Sequence, residues 1–576
     1  MANYQTIYNI AEICAQKGLQ DAILCPGSRC APLTLAFANH PQIKTRTFTD
    51  ERSAGFIAMG IAQQKQSPTV LICTSGSAAY NFSPAVAEAF FSETPLLIIT
   101  ADRPAEWIAQ HDGQTIYQDG LYGKHVKKSY TLPQDYEHPD SQWAVNRMVN
   151  EAINLSFQEP KGPVHINAPF REPFYPASSD DVTFSENVTI IDAFPSAYGL
   201  TSEQKQIIAS QWEKFSNVLL VAGQLPFDKE IHQRIDDLQN EQHIPVIGDI
   251  ISNLHPIEQV INQADVFLGH ATDEVKQSLQ PDLLITIGQS TISKNLKLFL
   301  RKYPSIEHWH IQPAGIATDP YQQVSKVFYA HVADFIQYLT TLPKKPSFEE
   351  QKQDNFFRLW NAEARKTERI IHDFFPQEQL SEIEVVKEVM RNLPEHATLH
   401  LANSMSVRYA NIIGLLPRQQ NIKVVANRGT SGIDGCTSSA VGHALANSGP
   451  QVLITGDLAF FYDRNAFWHN YPIDNLHILL LNNQGGSIFK LLDGVSNLRE
   501  QDEYFVTKQT LQARKLAEEF GIEYLLLDNK RKFKNLIQDF VNFDGKTKIL
   551  EYSSNADLSI GVYKSLKQKI KGSYES

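Results

Sequence analysis

The sequence predicts an α/β protein of three doubly wound parallel-sheet domains. Short apolar, β-branched runs recur along the chain and alternate with longer stretches of helical periodicity, which is the sequence form of parallel sheets with crossover helices. Each run leads quickly into Gly, Pro, Ser, Asp or Asn, residues that turn a chain out of a strand. The chain of 576 residues also exceeds one ordinary core, at about 150 residues per domain.

In the first third the runs are Ala22 to Cys25, Val70 to Cys73, Leu96 to Ile99 and Val164 to Ile166. The middle third has Val218 to Val221, Val246-Ile247 and Leu283 to Ile287; the last has Leu399 to Leu401, Val424-Val425, Val452 to Ile454 and Ile478 to Leu481. Polar or Pro-rich stretches, Arg171 to Ser202 and Leu342 to Asp354, are expected as linkers. The domains are therefore expected at 1–180, 195–342 and 360–576. No low-complexity segment or short tandem repeat interrupts them.

With 42% hydrophobic and 20% charged residues, this is ordinary globular composition. No run approaches the ~18 apolar residues of a membrane span. Met1 to Leu19 lacks the order of a secretion signal, so a cytoplasmic location is expected. The five cysteines, Cys14, Cys25, Cys30, Cys73 and Cys436, are scattered without zinc spacing and read as core or strand-end residues. A net charge of −12 argues against nucleic acid as a partner.

In open parallel sheets ligands bind beyond the carboxyl ends of strands, so the residues just after each run matter most. Gly456-Asp457-Leu458 follows one run and Asn482-Asn483-Gln484-Gly485-Gly486 the next, with Asn483 26 positions after Asp457. That is strand, crossover, strand, with a carboxylate and a carboxamide delivered to one crevice. Either block alone is commonly a turn; together they form a cradle for diphosphate and a hard cation, magnesium or manganese. The glycine pair lets backbone approach phosphate.

These blocks resemble the metal and diphosphate signature of thiamin-diphosphate enzymes, although Leu458 stands where many members carry glycine. The resemblance implies thiamin diphosphate with Mg2+ or Mn2+, bound through Gly456, Asp457, Leu458, Asn483 and Gly485. Asp457, Asn483 and the Gly485 carbonyl are the implied metal ligands. Such chemistry needs a buried carboxylate against the aminopyrimidine ring. Thr49-Asp50-Glu51-Arg52 precedes a small-residue helix, Phe56 to Ala62, of the kind that packs tightly at a subunit interface. An acid pair at a helix start is ordinary, but the resemblance makes Glu51 the activating acid. It also implies a homodimer or homotetramer whose sites lie at the subunit interface.

Basic residues mark strand ends in all three thirds: Arg29, Arg103, Lys294, Arg408 and Arg428. In a net acidic chain they suggest substrates with several carboxylates, which arginine binds bidentately. Pro26 to Thr34, Thr49 to Phe56, Thr74 to Ala78, Ala101 to Pro104, Asn427 to Gly435 and Asn482 to Phe489 narrow the resemblance to the 2-succinyl-5-enolpyruvyl-6-hydroxy-3-cyclohexene-1-carboxylate (SEPHCHC) synthase family of menaquinone biosynthesis. The middle third matches it chiefly through Ile292-Ser293-Lys294.

This resemblance implies decarboxylation of 2-oxoglutarate and conjugate addition of the resulting succinyl carbanion to isochorismate. Ser28, Arg29, Arg103, Gln114, Lys294, Ser404, Arg408 and Arg428 would hold carboxylates and hydroxyls. Ile433 would prop the bent cofactor, and Ile488 and Phe489 would wall the pocket. Two departures stand out: Asp112-Gly113 ahead of Gln114, and Gln484 in place of a common asparagine. The rival expectations are a carboligase of the acetolactate synthase kind, perhaps holding flavin, and a catalytically silent cofactor-binding regulator.

Overall fold

The computed structural model describes residues 4–176, 182–185, 187–194, 198–343, 347–375, 380–492, 494–495 and 497–575. Two compact units arise. One is formed by residues 1–196, 427–451 and 459–476, the other by 197–426, 452–458 and 477–576.

Three sheets are present, and every ladder whose register is described is parallel. The first contains β1 (Asp21–Leu24), β2 (Lys44–Thr47), β3 (Thr69–Cys73), β4 (Leu96–Asp102), β5 (Ser129–Thr131) and β6 (Pro163–Pro169), in the order β2-β1-β3-β4-β6-β5. The second contains β7 (Val218–Ala222), β8 (Val246–Gly248), β9 (Leu283–Ile287), β10 (Glu307–Gln312) and β11 (Lys326–Tyr329), ordered β11-β10-β9-β7-β8. The third contains β12 (Thr398–Leu401), β13 (Lys423–Val425), β14 (Gln451–Gly456), β15 (Leu476–Asn482), β16 (Glu523–Leu527) and β17 (Lys548–Ser553), ordered β13-β12-β14-β15-β17-β16. Counted from its own first strand, the third sheet repeats the order of the first.

Central strands such as β3, β7 and β9 are buried at every position, which is why they read as unbroken apolar runs. In each sheet the chain reverses its winding beside the first strand, and the crevice outside those carboxyl ends is where such folds bind ligands.

One expectation needs correction. Most of Leu342 to Asp354, expected as a linker, belongs to the helix Ser347–Phe374. Helical spacing continues past the charged run, with Phe356, Trp360, Ala364, Thr367 and Ile371 buried along one face. The Arg171 to Ser202 stretch lies partly outside the described residues.

The small-residue helix expected at a subunit interface, Glu51–Lys65, finds a close partner within the chain, the helix Cys436–Ala446. A Cβ added at Gly60 would stand 2.2 Å from the Ser439 carbonyl oxygen, and one at Gly442 2.2 Å from that of Ile57. Backbones this close leave no room for side chains. Asp50 caps the start of Glu51–Lys65, accepting from the Arg52 amide at 2.9 Å and the Ser53 amide at 3.4 Å.

Candidate cofactor and substrate site

In the second unit, β14 and β15 lie side by side and deliver Asp457 and Asn483 from adjacent strand ends. Asp457 is buried; its carboxylate accepts from the Leu458 amide at 2.8 Å and the Gln509 side chain at 2.7 Å. Burial nevertheless pushes its carboxyl up to about 6.

The neighbouring asparagines divide their tasks. Asn482 is structural: its Nδ2 donates to Glu551 at 2.6 Å and to the Leu511 carbonyl at 2.8 Å. Asn483 donates through Nδ2 to Glu382 at 2.8 Å and to Ser487 at 3.2 Å. Among the described residues its Oδ1, which is buried, has no hydrogen-bond partner. A buried, unpaired acceptor costs about 1–3 kcal/mol, which a bound cation would offset.

Around these groups two glycines set the space. A Cβ at Gly456 would meet nothing within 4 Å, leaving open space beside Asp457. Gly485 has φ +155°, and a Cβ there would stand 2.7 Å from the Val506 carbonyl oxygen, so only glycine fits this turn. Among the described residues no cluster of three His, Cys, Asp or Glu groups could hold a metal. A cation here would draw on one carboxylate, one carboxamide oxygen and backbone carbonyl oxygen, a hard donor set that fits magnesium or manganese completed by water and phosphate.

Also in this unit, Arg408 donates to the Ser404 carbonyl at 2.7 Å from the first turns of the helix Met405–Ile413. Lys294 is exposed at the start of the helix Lys294–Lys302. Buried Asp249 anchors the loop before it, accepting from the Ser293 amide at 3.1 Å and from the Ile292 amide. Ile488 and Phe489 share a short 3-10 turn; Ile488 packs on the core and the Phe489 ring stands 5.9 Å from that of Phe505.

The first unit holds the other group. Glu51 is half-buried at the first position of its helix, with Asn81 donating to it at 3.4 Å. It faces the tip of β1, where the Cys25 thiol is pushed well up by burial and then by the Glu51 charge. Arg29 is buried, donates to the Phe170 carbonyl at 2.9 Å and lies 4.4 Å over the Phe174 ring; adjacent Ser28 is exposed.

Arg103 is tied to the loop bearing Gln114, pairing with Asp112 at 2.7 Å and donating to the Gly113 carbonyl at 2.6 Å. The Gln114 backbone presses on Gly76, whose Cβ would stand 3.2 Å away. Arg428 begins a loop clamped by buried Glu88, which accepts from the Gly429 amide at 2.8 Å and the Thr430 amide at 2.6 Å. Ile433, on the same loop, is 39% exposed, an aliphatic surface presented outward.

Several buried polar residues with long-range partners escaped sequence reasoning. Gln118 is buried and bridges three elements, accepting from the Gly76 amide at 2.8 Å and donating to the Ala101 carbonyl at 2.9 Å and to Asn167 at 3.0 Å. Beside it, at the tip of β3, the buried Thr74 and Ser75 hydroxyls have no partner among the described residues. Glu382 and Glu88 read in sequence as ordinary helix acids. Their signal is visible only when the loops they bind are folded against them. Gln114, Ser404, Ser431 and Gln484 have φ of +57°, +74°, +62° and +63°, values uncommon outside glycine.

Residues 8–121 match the family described as thiamine pyrophosphate enzyme, N-terminal TPP binding domain, and residues 197–401 the family described as middle domain of thiamine pyrophosphate. The chain is 44% identical to a 2-succinyl-5-enolpyruvyl-6-hydroxy-3-cyclohexene-1-carboxylate synthase of Cytophaga hutchinsonii, over 99% of this chain and 100% of that one. Proteins of the same name from Flavobacterium johnsoniae and Bacteroides fragilis are 36% and 32% identical, covering 94% and 98% of this chain and 95% and 99% of theirs.

Proposed function

Since the chain belongs to the 2-succinyl-5-enolpyruvyl-6-hydroxy-3-cyclohexene-1-carboxylate synthase family, we propose that it removes carbon dioxide from 2-oxoglutarate and joins the remaining succinyl unit to isochorismate, a step of menaquinone biosynthesis. It is a thiamin-diphosphate-dependent enzyme of α/β class. When bound, that cofactor supplies the electron sink for decarboxylation and carbon–carbon bond formation.

One observation carries the site reading: the unpaired, buried Asn483 Oδ1 beside the Asp457 carboxylate, at the tips of adjacent strands. Asp457, Asn483 and the Gly485 carbonyl would hold Mg2+ or Mn2+, with Gly456 and Leu458 lining the diphosphate. Glu51 would exchange a proton with the aminopyrimidine ring, and exposed Ile433 would support the bent cofactor. Both substrates are dicarboxylates, and the cations Arg103, Lys294, Arg408 and Arg428 suit them. Arg29, with one nitrogen committed to the Phe170 carbonyl, would serve through the rest of its guanidinium. Ser28, Gln114 and Ser404 would add hydroxyl and amide contacts, and Ile488 and Phe489 an apolar wall that limits water.

In this reading 1–180 binds the pyrimidine, 195–342 is a central domain and 360–576 binds the diphosphate. The working unit is a cytoplasmic homodimer or homotetramer with each site completed by a second subunit. Among the described residues no helix is long and apolar enough to cross a membrane.

The test is product analysis with thiamin diphosphate, Mg2+ and isochorismate, offering 2-oxoglutarate or pyruvate as donor. The expected result is the succinylated cyclohexene carboxylate and carbon dioxide from 2-oxoglutarate alone. Acetolactate from pyruvate, or a yellow flavin-bearing protein, would favour the acetolactate synthase kind instead.

A further inference from the structure

We infer that Glu382 is a positioning residue that decides which end of the Asn483 carboxamide faces the cation. The inference rests on the metal reading of Asp457 and Asn483 proposed above. A carboxamide has an acceptor at one end and a donor at the other, so a half-turn replaces a metal ligand with an NH2 group that repels the cation. Something must therefore fix its orientation.

Ser487 cannot do so alone, because its hydroxyl, 3.2 Å from Asn483 Nδ2, can donate or accept. A carboxylate can only accept. Glu382 Oε1 lies 2.8 Å from Asn483 Nδ2, so the NH2 end must turn toward it and Oδ1 away. Glu382 is itself fully buried and held on every side. Ser554 donates to Oε1 at 2.7 Å, Tyr409 donates to Oε2 at 3.1 Å, and the Glu382 amide donates to Ser559 at 3.3 Å.

As the first residue of the ten-residue helix Glu382–Arg391, it also sits where the helix favours negative charge. The result is a fixed acceptor behind the amide and an unpaired Oδ1 in front of it. Orienting partners of this kind typically change metal affinity by about 10–100-fold when removed.

The experiment titrates Mn2+, read as free ion by electron paramagnetic resonance, into full-length protein saturated with thiamin diphosphate. Unfolding midpoints are measured without metal in parallel. Glu382→Leu should weaken Mn2+ binding by about 10–100-fold, and Glu382→Leu combined with Asn483→Ala should be no weaker than Asn483→Ala alone. Glu382→Gln should retain most of the affinity, since its carbonyl oxygen can still accept from Asn483.

Asn483→Asp should bind poorly beside Glu382 and recover when paired with Glu382→Gln, whose NH2 then supplies the missing donor. That pair decides the matter if Glu382→Leu fails to fold. Unchanged Mn2+ affinity in Glu382→Leu, with Asn483→Ala weakened, would reduce Glu382 to a stabilising helix-start acid and overturn the inference alone. Unchanged affinity in Asp457→Ala and Asn483→Ala would instead overturn the metal reading, and this inference with it.

Discussion

At corresponding strand tips the first sheet presents Ser28 and Arg29 after β1, Glu51 after β2 and Arg103 after β4. The third presents Ser404 and Arg408 after β12, Arg428 after β13 and Asn483 after β15. Both sheets run in one order, and each buries a polar residue on its penultimate strand. In the first, Asn167 joins Thr100, Asp102 and Gln118; in the third, Glu551 joins Asn482, Tyr524 and the Ala513 amide. The shared order sets where tips converge, and the residue at each tip sets the chemistry. The third sheet thus carries oxygen groups at its tips, Asp457 and Asn483, and the first a half-buried acid, Glu51.

This division can be broken one tip at a time. The largest effect is expected from Glu51→Gln, which should lower turnover by about 10²–10⁴-fold, the usual contribution of a positioned acid–base group, while bound thiamin diphosphate measured by fluorescence quenching stays at the wild-type level. Next, Arg408→Ala should raise the Michaelis constant for one substrate by about 10–100-fold, as expected for a lost charge-assisted contact. Unchanged steady-state constants would remove Arg408 from the pocket.

Packing supplies the third contrast. Gly60→Ala forces a methyl group into the Ser439 carbonyl and should destabilise the first unit by about 1–3 kcal/mol in denaturant titration. Gly561→Ala, in a helix where a Cβ meets nothing within 4 Å, should be neutral or stabilising.

The smallest effect concerns His165 on β6, whose ring is bonded to Thr100 at 2.8 Å and Ser129 at 2.9 Å and pushed down to about 3 by burial. Its folded pKa lies below the ordinary value of 6.5, so the unfolded chain binds the extra proton and stability is lost as pH falls through 6.5. The stability advantage of wild type over His165→Gln should shrink by about 1 kcal/mol between pH 7.5 and pH 6. An advantage independent of pH would mean that the folded ring titrates near its ordinary value.

The parts of the fold legible in sequence were those buried on both faces. The runs around Val70, Leu96, Val218, Leu283 and Ile478 became central strands because every side chain there is apolar or small. The strands that left no run are β2, β5, β11 and β16, all sheet edges, together with β10 and β17. Edge strands such as Lys44–Thr47 keep polar residues facing outward. β17 carries Lys548 and Glu551 into the interior because partners distant in sequence satisfy them: Asp539 holds Lys548 at 3.2 Å, and Asn482 holds Glu551 at 2.6 Å.

Asp457, Asn483 and Gly485 stood out in sequence because two blocks, each commonly a turn by itself, follow successive apolar runs at crossover spacing. Gln118, Glu88 and Glu382 did not, because their roles consist of contacts between segments far apart in the chain.

The role proposed for Glu51 is read most plainly from the exchange of the thiazolium C2 proton of bound thiamin diphosphate with deuterated solvent, followed by NMR after acid quench. Exchange is expected to be fast in the wild type and slowed by about 100-fold or more in Glu51→Gln at full cofactor occupancy. Exchange at the wild-type rate in Glu51→Gln would contradict it.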